Sequence, residues 1–272
     1  MSKKWINAEP DHAGRLMLGL MPLLLLVVLY FFASDARLAL NSADKLFPSF
    51  GQMGQAAYKL DFEIYPNTGG RLLWSDTYAS LTRLLFGVLI SAVCALVFGL
   101  LMGAIPVARA VVSPLVVAIA LIPALAVLPI LSIVFGVGEI SKIVLIVIGL
   151  TPLIARDLQQ HVQSMPQEQL IKAQTLGGNS LQIIMRVMLP QTLPRLFDAT
   201  RLSLNAAWLF LIAAESIAAT EGLGYRIFLQ QRYLAMDAIL PLVAWMTLLA
   251  FLLDRFLWLA SKAYWPWYHA NK

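Results

Sequence analysis

One carboxylate, Glu215, lies inside a long apolar run, and on a helix it would share a face with Asn205, Trp208 and Ile212, which precede it at intervals of three or four. A charge in a membrane-crossing helix costs about 3 kcal/mol unless it meets water or a partner. Glu215 therefore marks either a solute path shared with Asn205, Trp208 and Ser216, or an ion pair with Arg226 or Arg232 that braces a helix contact. Ser132, Ser203, Ser216 and Asn205 are also suited to bonding neighbouring helices in lipid. No other grouping suggests bond chemistry. The chain has no HExxH, no GxSxG, no GxxxxGK[ST] and no paired carboxylates within its apolar runs, so hydrolase, metalloprotease and intramembrane-enzyme readings lack their residues. His12, His161 and His269 are far apart, and Cys94 stands alone in an apolar run, which leaves no metal pair and no disulfide. The chain reads as a non-enzyme that binds no cofactor or metal.

The elements that must position these residues are membrane helices. Of 272 residues, 60% are hydrophobic and 13% charged, about half the charge of a soluble domain. The apolar residues fall in runs of about 20, enough to cross a hydrocarbon core as helix. Six spans are expected, near Leu16–Ala33, Ser80–Ile105, Ser113–Phe135, Ile140–Leu158, Leu196–Ala219 and Ala238–Ala260. The first follows Lys3, Lys4 and Arg15, but its apolar core is too long for a secretory signal and no A-x-A site follows it. Gly99-x-x-x-Gly103 permits close helix approach, Pro106 and Arg109 suggest a turn, and Pro123 and Pro129 must bend or loosen the third span. Residues 34–76 read as an outer loop with short interfacial helices, turns at Pro48, Pro66-Asn67 and Gly69-Gly70, and boundary aromatics Phe62, Tyr65 and Trp74. Glu139 and Lys142 suit an i,i+3 pair, and Thr220–Arg226 is too polar and Gly-rich to span.

Between the fourth and fifth spans lies a polar interruption, Ser164–Pro194. Ser164 and Gln167 are expected to form a capping box, Gly177-Gly178-Asn179 to break the helix, Ser180 to cap a second short helix, and Leu189-Pro190 to end it. Glu168 and Lys172 stand at i,i+4 spacing for a pair. Ala173, Gly177, Val187, Leu189 and Pro190 resemble the cytoplasmic EAA loop of ABC importer permeases, with Ile171 and Lys172 where Glu and Ala are usual. Across 80–255 the resemblance extends to Ile122-Pro123, Phe135-Gly-Val-Gly-Glu139-Ile-Ser-Lys142, Ala214-Glu215 and Gly222-Leu-Gly224-Tyr225, which are similar to the nitrate, sulfonate, taurine and bicarbonate importer permeases. It implies an all-α, type I ABC importer permease core at 80–260 with a cytoplasmic coupling loop at 159–195. It further implies a permease homodimer, two ABC ATPase subunits that carry ATP and Mg, and an extracytoplasmic solute-binding protein. Gln167, Glu168, Leu170, Ala173, Gln174, Thr175, Leu176 and Gly177 would form the ATPase contact.

The remaining divisions are a cytoplasmic N-terminus at 1–15, a first span and outer loop at 16–79, and a cytoplasmic tail at 261–272, where Trp265-Pro-Trp267-Tyr268 would anchor at the interface. The face holding both termini collects twelve of the 20 Lys and Arg residues, which orients it to the cytoplasm of a bacterial inner membrane. The net charge of +5 forms no basic stripe with interleaved aromatics, so nucleic acid is not expected as a partner. A secondary transporter or channel that runs without an ATPase is the alternative, although no inverted repeat is visible. Small oxyanions, sulfonates and urea- or guanidine-type nitrogen compounds remain open as solutes.

Overall fold

A computed structural model describes residues 11–40, 46–62 and 71–270, and all their long elements are helical. Pro66-Asn67, Gly69-Gly70, Tyr65, Lys3, Lys4 and Lys272 lie outside the described residues. In chain order the helices are α1 (His12–Leu40), α2 (Phe50–Phe62), α3 (Leu72–Ala104), α4 (Pro106–Leu121), α5 (Ala124–Phe135), α6 (Glu139–Gln163), α7 (Gln167–Thr175) and α8 (Ser180–Ile183). A π-helical turn, Ile184–Met188, leads into α9 (Leu189–Ala218), followed by α10 (Leu223–Arg232), α11 (Met236–Tyr264) and α12 (Pro266–His269).

The core is the packing of α3 and α9 on α6. Close approach follows from small residues: a Cβ at Gly99 would lie 2.6 Å from Leu158 Cβ, and one at Gly103 2.5 Å from Val162 Cβ. The GxxxG spacing thus lets α3 lie directly on α6. Leu145, Ile146, Leu150, Ile154 and Leu158 line the buried side of α6 at helical spacing. Outside this core, α2 packs on α11 and α3, and the chain after α1 is pinned where Tyr30 OH donates to Pro48 O at 2.7 Å.

Four segments are long and apolar enough to cross a membrane, 17–39, 72–104, 180–217 and 236–264, and α4 with α5 makes a fifth as a pair bent by 94°. The expected six also counts α6. Helix α6, the expected fourth span, has the length at 25 residues but carries Glu139, Lys142, Arg156 and Asp157 near its ends, and its neighbours bury it. The third span is broken rather than bent, because Pro123 caps α5 after the chain turns extended at Ile122, while Pro129 is accommodated within α5. Pro106 and Arg109 are not a turn but the first turn of α4, where proline's missing amide is harmless. Arg109 caps the end of α3 by donating from Nε to Met102 O at 2.9 Å and from Nη2 to Gly103 O at 2.7 Å.

Helix α9 likewise begins earlier than expected. Pro190 does not end the preceding helix; the π turn shifts the hydrogen-bond register so that Pro190 falls in the first turn of α9. The short helix and the fifth span thereby become one apolar segment.

Candidate functional site

Two polar regions stand at opposite ends of the bundle. The first is the α7–α8 hairpin that follows α6. Ser164 closes α6 rather than opening α7: its backbone N–H donates to Gln160 O at 3.0 Å, and Pro166 stands at the N-cap of α7 without a side-chain cap. The capping box belongs to Asn179 and Gln182, not to Ser180; Gln182 N donates to Asn179 Oδ1 at 2.8 Å and Asn179 N to Gln182 Oε1 at 3.0 Å. Asparagine one residue earlier wins because its carboxamide spans the reach to the third helical amide. Gly177 reverses the chain at φ +82°, which favours glycine, and Gly178 N closes the turn on Ala173 O at 3.1 Å. Glu168 and Lys172 are both exposed, and the expected ion pair between them is not among those of the described residues.

Leu170 and Ala173 face inward onto Val162, Met165, Ile183 and Met188, which fixes α7 to the ends of α6 and α9. Gln169 Oε1 accepts from Gln191 Nε2 at 3.2 Å, and His161 Nε2 lies 3.4 Å from Gln191 O. Burial lowers the His161 pKa from its ordinary value. Gln167, Glu168, Gln174, Thr175, Leu176 and Gly177 are exposed, and Leu176 is 81% so. Beside them, a cleft of about 490 Å³ opens between α7 and α8, lined by Ala173, Leu176, Gly177, Gly178, Gln182 and Arg186 among others. Ile171, Leu181 and Met185 are further exposed apolar residues around this turn.

The second region is at the opposite end, where α3 and α6 begin and α9 ends. Glu215 is fully buried, and its partner is neither Arg226 nor Arg232 but Arg83 of α3, whose Nη1 donates to Glu215 Oε1 at 2.8 Å. Ser80 Oγ donates to both carboxylate oxygens at 2.8 and 2.9 Å and accepts from Leu223 N at 2.8 Å. Gly224 N donates to Glu215 Oε2 at 2.8 Å. Arg226 instead pairs with Asp76 at 2.7 Å, and Asp76 also accepts from Gly222 N at 2.8 Å. The expected Glu139–Lys142 pair is present at 2.8 Å, but Glu139 is shared with Arg83 as well. The Thr220–Arg226 segment is thus a short Gly222 turn, at φ +121°, that enters α10 at Leu223.

Sequence reasoning reached Glu215 through the cost of its burial and missed Asp76, Ser80 and Arg83. These stand at i, i+4 and i+7, a polar stripe on one face of an otherwise apolar helix. That spacing was available as a signal, but Asp76 fell in the expected loop and Ser80 and Arg83 at the edge of the expected span.

Along α9 the structure divides the path candidates. Asn205, Trp208 and Ile212 line a cavity of about 420 Å³ with Leu204, Met246 and Thr247, and with Arg201 and Asp254, which pair at 2.9 Å. Glu215 is not among its lining residues. Trp208 is buried, with its indole N–H unpartnered. Ser216 Oγ donates to Ala213 O at 2.8 Å and Ser203 Oγ to Ala199 O at 2.9 Å, so both hydroxyl protons are spent within the helix. Among the described residues no cluster of three His, Cys, Asp or Glu is placed to hold a metal ion.

An all-helical core with an exposed helix–Gly–helix hairpin between two packed helices narrows the comparison with known proteins. Residues 68–262 match the family profile of the binding-protein-dependent transport system inner membrane component. The chain belongs to this family. It is the permease component of an ABC importer and not an enzyme. The taurine transport system permease protein TauC of Escherichia coli (strain K12) is 35% identical over 196 residues, covering 72% of this chain and 71% of that protein. The bicarbonate transport system permease protein CmpB of Synechococcus elongatus is 32% identical over 192 residues, covering 69% and 68%. The inward-facing structure of the MetNI methionine ABC transporter shares the fold at a TM-score of 0.61, with 22% identity, covering 68% of this chain and 93% of that chain. Membership implies ATPase and solute-binding partners in a multi-pass inner-membrane assembly.

Proposed function

We propose that this permease moves a small polar solute of the sulfonate or small-oxyanion class inward, as a homodimer driven by two ATPase subunits that grip the α7–α8 hairpin. The observation that carries the reading is the exposure of large apolar side chains on this short polar segment: Leu176 lines the α7–α8 cleft, and Ile171, Leu181 and Met185 are exposed as well. Large apolar side chains left exposed on a polar segment beside a cleft favour a protein partner. The hairpin packs on the ends of α6 and α9 through Leu170, Ala173 and the Gln169–Gln191 bond, so a pull on Gln167–Gly177 would pass into the core helices.

Both termini and the hairpin would then face the cytoplasm, the α3–α10 end would face outward toward the solute-binding protein, and ATP and Mg would stay on the ATPase. The cavity at Asn205 and Trp208 is the candidate solute path, with Ser216 further along the same helix. The two relatives above that are named for a solute are named for taurine and bicarbonate; a urea- or guanidine-type solute has no comparable support.

Purification of the permease with its ATPase and crosslinking from Ala173→Cys test the reading. Crosslinks to the ATPase, with ATP-dependent uptake abolished by Gly177→Arg, are expected. A chain that retains no ATPase, and whose Gly177→Arg form still transports, would be a secondary transporter or channel. Crosslinks to lipid alone would make the hairpin a headgroup-bound loop.

A further inference from the structure

We infer that Arg83 is a positioning residue for transport: it binds the outer ends of α3, α6, α9 and the α10 turn into one moving body, with Glu215 as its anchor rather than a solute contact. This rests on the importer reading above and deepens it.

Arg83 is 2% exposed and uses every guanidinium nitrogen. Nε and Nη2 hold Glu139 at the start of α6, the latter at 2.9 Å, while Nη1 bridges Glu215 Oε1 and Glu221 O, each at 2.8 Å. One planar fork thus joins three other segments, which the single ammonium of lysine cannot reproduce. Glu215 is equally occupied. Its two oxygens together receive Arg83, Ser80 and the Gly224 amide, and a Cβ at Gly222 would lie 2.5 Å from Oε1. A carboxylate so enclosed has neither a free oxygen nor space for a solute, and it lines no part of the cavity at Trp208. The Asp76–Arg226 pair and the Ser80–Leu223 bond clamp the same turn to α3 independently. Four helix ends joined by polar bonds of this density must shift together, because each bond broken leaves a buried charge or amide unpaired. Among the described residues α5 contributes no side-chain hydrogen bond to the node, whereas Trp245 of α11 donates from Nε1 to Thr77 Oγ1 of α3 at 3.0 Å, so relative motion in the outer half falls between the node and α5.

The test uses the complete permease–ATPase–binding-protein assembly in proteoliposomes, with taurine as the probe solute. Arg83→Lys and Glu215→Gln are each expected to keep the ATPase bound and leave half-saturation for uptake within about twofold. Both should cut the maximal uptake rate at least tenfold, while ATP hydrolysis continues. Spin labels at the exposed Tyr78→Cys and Tyr233→Cys positions, in a Cys94→Ser background, should show a narrow separation through the ATP cycle that broadens in Arg83→Lys. A tenfold rise in half-saturation at unchanged maximal rate for Glu215→Gln would make Glu215 a solute contact and overturn the inference, as would unchanged uptake by Arg83→Lys. If Arg83→Lys does not assemble, Ser80→Ala removes one clamp only and is read the same way. Wild-type protein that takes up no taurine but shows the narrow, Arg83-dependent separation would count against the solute assignment and leave the node standing.

Discussion

Where α3 and α6 begin, Asp76, Ser80, Arg83, Glu215 and Arg226 are all buried and bonded to one another or to backbone amides; where α6 ends, the α7–α8 hairpin shows most of its polar and apolar side chains to the exterior and is held by the inward residues Leu170, Ala173 and Ile183 and a glutamine pair. The same chain thus spends its polar groups in two ways. Buried charges that satisfy one another fix a geometry, since loss of any one strands the rest. Exposed groups fix nothing within the chain and remain available for a partner. The contrast is the one expected if one end is rigid and the other docks a partner, as proposed above.

The sharpest way to break the comparison is to remove a buried charge. Glu215→Ala leaves Arg83 underpaired and should cost about 3–5 kcal/mol, read as a large fall in the melting temperature of the detergent-solubilised protein. Leu176→Ala, at the exposed end, should leave that temperature unchanged. Next in size is Gly222→Ala, which adds a Cβ against a pinned carboxylate at a positive φ and should cost about 1–3 kcal/mol in the same assay. An unchanged melting temperature would mean the node yields easily.

At the hairpin the effects should be smaller. Asn179→Ala removes the capping box and should cost about 1 kcal/mol, with hydrogen exchange accelerated at α8 and not at α10. The smallest effect is a pH dependence at His161. Its folded pKa is lowered by burial, so the protein favours the neutral ring; this stabilisation is complete above the unfolded value of about 6.5 and fades as pH falls through the folded one. The melting temperature should therefore fall between pH 7.5 and 5.5, and His161→Gln should flatten that slope.

How much of this was legible varied with the range of the interaction. The break at Pro123, the reversal at Gly177, the α3–α6 approach through Gly99 and Gly103, and the cost of burying Glu215 all follow from residue type and local spacing. Both cap assignments fell early or late by a residue or two: Ser164 closes α6 and Pro166 opens α7, while Asn179 rather than Ser180 caps α8, because neighbouring polar residues suit a helix end equally and the chain path decides among them. Pro190 misled because a proline ends a helix only if its amide is needed, and the π turn removed that need. The partner of Glu215 was out of reach, because Arg226, Arg232 and Arg83 are all plausible cations and the right one lies 132 positions away.

Composition and periodicity alone establish a helical membrane protein, with a polar hairpin between its fourth and fifth expected spans and a carboxylate that must find company. Those conclusions need only hydrophobic free energy and backbone stereochemistry, which act residue by residue. Which cation meets Glu215, that Asp76 and Ser80 join it, and that Glu215 stands apart from the cavity at Asn205 and Trp208 depend on how α3, α6, α9 and α10 come together. Pairing across more than a hundred residues is set by the packing of whole helices, and no local preference encodes it.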